Sequence, residues 1–219
     1  WSGDIKSSFP SMKNQVAAGL NMGIAGIPWW TTDIGGFFGA NINDPEFHEL
    51  LVRWFEYGCF CPVMRLHGYR WPLQPQYGTT GGATCVSGAP NEVWSYTDQV
   101  CEILSDYLRL RERMLPYITE LMEEAHEKGT PVMRPLFYDF PEDKESWNVE
   151  TEYMFGPKVL VKPITDADAR ETDVYLPGGA SWTNAWTGET FEGGQKVHVA
   201  APIEQIPLFT RDGYKLPMK

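Results

Sequence analysis

The sequence predicts an α/β unit followed by an all-β unit, with the change of class near Pro131. Between Pro10 and Lys128, helical patterns alternate with short apolar runs, and that alternation implies buried strands paired in parallel. Beyond Pro131 the period shortens, and short strand-like runs are separated by Pro-Gly-Gly and Gly-Gly turns, which is the pattern of an antiparallel β-sandwich. Only two strands fall in the first unit. Two strands cannot close a parallel barrel and would leave apolar edges in water, so the chain reads as part of a larger fold, divided at 1–130 and 131–219.

The elements follow in order. Pro10 to Asn21 is helical in pattern, and the branched, apolar run Gly23 to Trp30 reads as a buried strand. Asp44-Pro45 supplies a helix N-cap and a first-turn proline, opening a helix to about Tyr57 whose Phe47, Leu50, Leu51, Trp54 and Phe55 share a face. Gly58 ends it, and Phe60 to Leu66 reads as the second buried strand. The Gly-, Pro- and Thr-rich loop from His67 to Pro90 is long enough to expect a functional role. Within it, residues 77–87 are candidates for shaping a leaving-group subsite, with a solvated surface loop as the alternative. A long helical segment spans about Asn91 to Lys128, broken or kinked near Pro116 and terminated by Gly129-Thr-Pro131. In the second unit, Tyr153–Pro163, Glu171–Leu176, Ser181–Asn184, Lys196–Ala200 and Gln205–Thr210 read as strands.

Composition limits the partners. The 219 residues are 42% hydrophobic, enough for a real core, and carry a formal charge of −11, so neither nucleic acid nor an anionic membrane surface is favoured. No apolar run is long enough for a membrane span and no leader pattern is present, although the chain starts without Met. Cys59, Cys61, Cys85 and Cys101 lack paired metal spacing and read as buried free thiols. No metal and no cofactor is expected. Aromatic residues make up 14% with nine Trp, several beside Asp, Gly and His. Flat rings cover the C–H faces of sugars while carboxylates bind their hydroxyls, so an oligosaccharide is the expected partner. Trp182 and Trp186 read instead as core and turn packing.

Polar residues just past the strands of a parallel barrel mark its active-site face. Three places qualify: Asp4 in Trp1-Ser-Gly-Asp4, Asp33 in Thr31-Thr-Asp-Ile-Gly-Gly-Phe37, and Arg65-Leu-His67-Gly. Trp1, Trp29, Trp30 and Phe37 stand beside them. Glycoside cleavage needs one carboxyl to protonate the leaving oxygen and a second to attack or activate water, and on composition alone Asp4 and Asp33 form the candidate pair. Either one taken singly is as readily an N-cap or turn residue.

These segments carry a further signal. Trp-Ser-Gly-Asp at 1–4, Gly-Ile-Pro-Trp-Trp-Thr-Thr-Asp-Ile-Gly-Gly-Phe at 26–37 and Arg-Leu-His-Gly at 65–68, with Arg-Met-Leu-Pro-Tyr at 113–117 and Gly-Thr-Pro-Val-Met-Arg-Pro at 129–135, together resemble glycoside hydrolase family 31. The resemblance covers nearly the whole chain. It implies the last segments of a (β/α)8 barrel followed by the proximal C-terminal β-sandwich, and a retaining α-glycosidase working by double displacement. Carried over by residue, Asp4 matches the general acid/base, Asp33 and His67 match groups that bind the sugar's hydroxyls, and Trp1 and Phe37 match aromatic walls. Trp30 and Arg65 complete the expected substrate-binding set. Asp33 thereby becomes a binder, and the nucleophile is expected upstream of Trp1, because no segment here resembles its surroundings. The wording around Trp29-Trp30 and the Gly-rich insert after His67 are closer to bacterial α-xylosidases, with α-glucosidase as the alternative. From another class, a non-catalytic carbohydrate-binding module stays open. The missing N-terminal part of the same protein is an expected partner and a homo-oligomer is admitted. The expected setting is bacterial and cytoplasmic, which the residues themselves do not fix.

Overall fold

A computed structural model describes residues 1–218. The first helix, α1 (Phe9–Ile24), is capped by Ser8, whose hydroxyl accepts from the Ser11 amide, and Pro10 sits in its first turn. It buries Met12, Val16 and Leu20. The expected strand at Gly23 to Trp30 is corrected in part, because α1 runs through Ile24 and the turn comes at Gly26, whose φ is +90°. Residues 27–33 then run as extended chain without a continuous ladder.

Three extended segments nevertheless lie side by side. Phe37 N donates to Ile5 O at 2.8 Å, Ser7 N to Phe38 O at 2.8 Å, Val63 N to Trp30 O at 3.2 Å and Ile34 N to Arg65 O at 3.1 Å. Lys6 bridges Phe38 in parallel, and β1 (Ala40–Asn41) pairs in parallel with β2 (Arg70–Trp71). The second expected strand, Phe60 to Leu66, therefore also lacks a regular ladder. Pro28 and Pro62 have no N–H to contribute, and Gly35 and Gly36 hold φ of +85° and +76°, which strand backbone does not adopt.

Between the second and third segments runs α2 (Pro45–Cys59), capped by Asp44 as expected, its carboxylate accepting from Glu46 N at 3.0 Å. From Leu50 to Cys59 every residue is buried, Arg53 and Glu56 included. The long helical segment is shorter at its start than expected. Residues 91–97 make only a 3₁₀ turn at Val93–Ser95, and α3 (Asp98–Arg113) begins after the Thr97 cap. The break near Pro116 falls at Met114, followed by α4 (Leu115–Lys128), which ends on left-handed Gly129.

The β half is dominated by a six-stranded sheet. It contains β3 (Met133–Pro135), β4 (Tyr153–Phe155), β5 (Val159–Val161), β7 (Ser181–Asn184), β8 (Thr190–Glu192) and β10 (Leu208–Arg211), in the order β3-β4-β5-β10-β7-β8. A one-turn helix, α5 (Leu136–Asp139), follows β3, and β6 (Glu171–Leu176) pairs with β9 (Gln195–Ala200) in a second, two-stranded sheet. The expected strand Tyr153–Pro163 is two strands, because Gly156 at φ +60° and Pro157 turn the chain back on itself.

Alternation along these strands buries both faces of the large sheet. Tyr153, Phe155, Val159, Val161 and Leu208 join the core built by the helices, while Met154, Leu160, Phe209 and Trp182 on the opposite face pack with Val174 and Leu176 of the two-stranded sheet. Each fully buried aliphatic or aromatic side chain contributes ~1.5–3 kcal/mol. The central strands are apolar at successive positions because neither face meets water.

A polar joint sits inside that interface. The Arg53 guanidinium donates to the carbonyls of Ala169 at 3.0 Å, Ala201 at 2.6 Å and Pro202 at 3.1 Å, and to Glu56 Oε2 at 3.1 Å. Tyr107 on α3 donates toward Glu56 Oε1 and the Glu204 carbonyl, both at 3.1 Å, and accepts from Ile206 N at 3.0 Å. Burial pushes the Glu56 carboxyl up to about 8 against the opposing pull of Arg53. Cys59 and Cys61 are buried free thiols as expected, but Cys85 is exposed and Cys101 half-buried, because the 77–87 loop carries Cys85 outside the core.

Candidate active site

The site forms where the three extended segments end. Asp33 is fully buried at the end of the second segment. Its Oδ2 accepts from the Trp1 indole Nε1 at 3.0 Å, and Arg65 Nε lies 3.2 Å from its Oδ1. The Arg65 contact is an ion pair without hydrogen-bond alignment, so Oδ1 has no directed donor among the described residues. Arg65 also lies over the Trp1 ring at 5.8 Å. Trp1, Asp33 and Arg65, three residues far apart in sequence, thus form one contact group.

A second pair stands beside it. The Phe37 and His67 rings lie 5.6 Å apart at 42°, and His67 is exposed. Asp4 is exposed in the first segment. Its flanks are tied to the second segment, since Ser2 Oγ donates to Thr32 Oγ1 at 3.2 Å and Ile5 O accepts from Phe37 N. Residues 32 and 37 bracket Asp33, so Asp4 lies on the segment bonded alongside it. Trp30 lies elsewhere: it is 5% exposed and packs on α1, its indole occupying the space a Cβ on Gly19 would need.

Two devices hold these segments in place. A Cβ on Gly36 would come within 2.7 Å of the Ser7 backbone, so only glycine lets the Asp33 loop approach the Asp4 segment this closely. Arg70 does the rest. It is fully buried and donates to the carbonyls of Ile34 at 3.0 Å, Gly36 at 2.8 Å and Phe37 at 3.3 Å, with Nε donating to Asn91 Oδ1 at 3.2 Å and the Phe47 ring beneath it at 5.0 Å. Sequence reading passes over Arg70, Ser2 and Thr32. For Arg70 the only local signal is Gly68, where a Cβ would collide with its guanidinium; the carbonyls it binds are more than 30 residues away.

What these side chains can do is hold a neutral polyol. They offer a buried acceptor, a cation, exposed aromatic faces and an exposed carboxyl, and no group of three or more His, Cys, Asp or Glu among the described residues could hold a metal ion. Comparison with known proteins places the fold. Residues 1–121 match the glycosyl hydrolases family 31 TIM-barrel domain and residues 129–216 match the family 31 C-terminal domain. The chain belongs to glycosyl hydrolase family 31.

Several relatives locate it within the family. A crystal structure of a family 31 alpha-xylosidase from a soil metagenome, complexed with xylose, superposes with a TM-score of 0.94 at 52% identity, over 99% of this chain and 32% of that one. An alpha-xylosidase of Saccharolobus solfataricus is 38% identical over 100% of this chain and 27% of its own length. Alpha-glucosidase 2 of Bacillus thermoamyloliquefaciens is 34% identical over 97% and 24%. The family 31 chain therefore spans about a third or less of the relatives it matches, and comprises barrel segments followed by a C-terminal β-sandwich, as its sequence implied. No helix among its described residues is long and apolar enough to cross a membrane.

Proposed function

We propose that this chain forms one wall of the pocket of a retaining α-glycoside hydrolase that releases terminal α-linked xylose from oligosaccharides. The observation that carries the reading is Asp33 Oδ1, a buried carboxylate oxygen charge-balanced by Arg65 yet without a directed donor. Buried acceptors in native proteins are satisfied, and a sugar hydroxyl is the donor this pocket mouth would receive. His67 and Phe37 bound the same sugar, and Trp1 both orients Asp33 and presents an aromatic face.

In this reading Asp4 protonates the leaving oxygen while a carboxylate from polypeptide preceding Trp1 attacks the anomeric carbon, the two carboxyls standing ~5–5.5 Å apart as retention requires. Asp4 then takes the proton from water in the second displacement. Xylose is preferred because the relatives named as alpha-xylosidases match this chain at 38% and 52% identity, against 34% for the alpha-glucosidase. That glucosidase relative supports the second reading, an α-glucosidase on the same site.

The test is the ratio of kcat/KM for 4-nitrophenyl α-xyloside and α-glucoside with the full-length protein. One CH₂OH arm distinguishes them, a difference pockets reject by ~10–200-fold. A ratio of that size favouring xylose is expected. A preference for glucose transfers the assignment to the second reading, and no turnover of either removes both.

A further inference from the structure

The loop that leaves His67 builds a second concave surface. Gln74 and Ser87 exchange backbone hydrogen bonds at 2.8 and 3.2 Å, closing residues 74–87 into an excursion. Its base is fixed by Ala89 N donating to Arg70 O at 2.8 Å and by Ile42 N donating to Trp71 O at 3.0 Å. Between this excursion and residues 87–95 lies an open groove of about 840 Å³. Tyr77, 81% exposed, and Trp94, 75% exposed, are among its lining residues.

We propose that this groove is a sugar-binding surface for the glycan on the leaving-group side of the cleaved bond, which makes the preferred substrate an oligosaccharide of several units. The inference rests on the hydrolase reading above. Three observations support it. First, one buried residue ties the groove to the pocket loop: the Arg70 guanidinium donates to the carbonyls of Ile34 and Gly36, and its own carbonyl accepts from Ala89 N in the groove lining. Second, its lining includes no Lys, Arg or His, so an anionic ligand finds no partner, whereas Gln74, Asn91, Glu92 and Ser95 suit hydroxyls. Third, its groups are preorganised. Asn91 Oδ1 accepts from Arg70 Nε and from the Tyr96 hydroxyl, which turns its amide nitrogen into a free donor. Glu92 and Ser95 cap each other across the 3₁₀ turn that presents Trp94. Exposed flat rings with polar groups at their edges bind sugars by covering C–H faces while the polar groups take the hydroxyls.

The full-length protein carrying Tyr77→Ala and Trp94→Ala tests this. With 4-nitrophenyl α-xyloside, kcat/KM stays within about twofold of wild type, whereas with an α-xylose-terminated tetrasaccharide KM rises about fivefold for each ring removed and kcat holds. The Tyr77→Phe/Trp94→Phe variant keeps the rings and restores KM. An equal loss on both substrates, or none on the tetrasaccharide, overturns the proposal. So does a change of oligomeric state in sedimentation, which would make the groove a contact between copies. If wild type hydrolyses neither aryl glycoside, the hydrolase reading fails by itself, and calorimetry with the tetrasaccharide still judges the groove: weaker binding by the double variant upholds it, and no binding to wild type refutes it.

Discussion

The indole of Trp1 and the carboxylate of Asp33, 32 positions apart, are joined by a 3.0 Å hydrogen bond in which the indole donates and the fully buried carboxylate accepts. The bond uses Oδ2 and leaves Oδ1 with Arg65 Nε 3.2 Å away and no directed donor among the described residues. Asp33→Asn therefore removes the acceptor charge while keeping the shape. A hydrogen bond to a charged group contributes ~1.5–3 kcal/mol, so kcat/KM for the aryl xyloside is expected to fall roughly 10- to 150-fold. Steady-state kinetics on the full-length protein checks this, with thermal unfolding to show that the fold persists.

Asp4→Ala separates proton donation from every other role of the site. Under the proposed role, substrates with poor leaving groups lose turnover by ~10²–10⁴-fold, the usual contribution of a general acid. A dinitrophenyl glycoside, whose leaving group needs no proton, is spared in the first step. Equal losses on both substrates would remove Asp4 from the assignment.

Arg70→Met leaves the carbonyls of Ile34, Gly36 and Phe37 without their buried donor. Each orphaned buried group costs ~1–3 kcal/mol, so loss of several kcal/mol of stability is expected, read as a lower midpoint in urea unfolding. An unchanged midpoint would show that the Asp33 loop orders itself without Arg70.

Glu56 sets a pH dependence whose sign is fixed by its raised carboxyl, held up to about 8 in the folded state from an ordinary value of 4.5. Between those values the folded protein keeps a proton the unfolded chain has lost, so stability falls as pH rises from about 5 to about 8. Glu56→Gln keeps the size and removes the titration. Its Tm is expected to decline less over that interval than the wild-type Tm does.

Much of this architecture can be read from local chemistry. Asp44-Pro45 announces α2, Pro116 marks the break between α3 and α4, and Gly129 marks the end. The differences have local causes too. Ile24 reads as strand because branched apolar residues serve a buried strand and a helix end equally well, and β8 gives no strand signal because Thr190-Phe-Glu192 is an edge strand with mostly exposed residues. The site is visible as three separate motifs, yet Trp30, which stands among them in sequence, packs on α1. Arg53 and Arg70 are invisible for a different reason. Most of their partners are backbone carbonyls, up to 152 positions away, and a carbonyl leaves no trace in residue identity.

The large sheet, buried on both faces, has a practical meaning for anyone reshaping this protein. Its central strands carry no water-facing side, so transplanting residues 131–219 onto another scaffold would bare Tyr153, Phe155 and Leu208. A hybrid that keeps α1, α2, α3 and α4 from this chain retains their cover, because α1 packs on β3 as well, so the natural seam for recombination lies ahead of α1 rather than at the change from helix to strand.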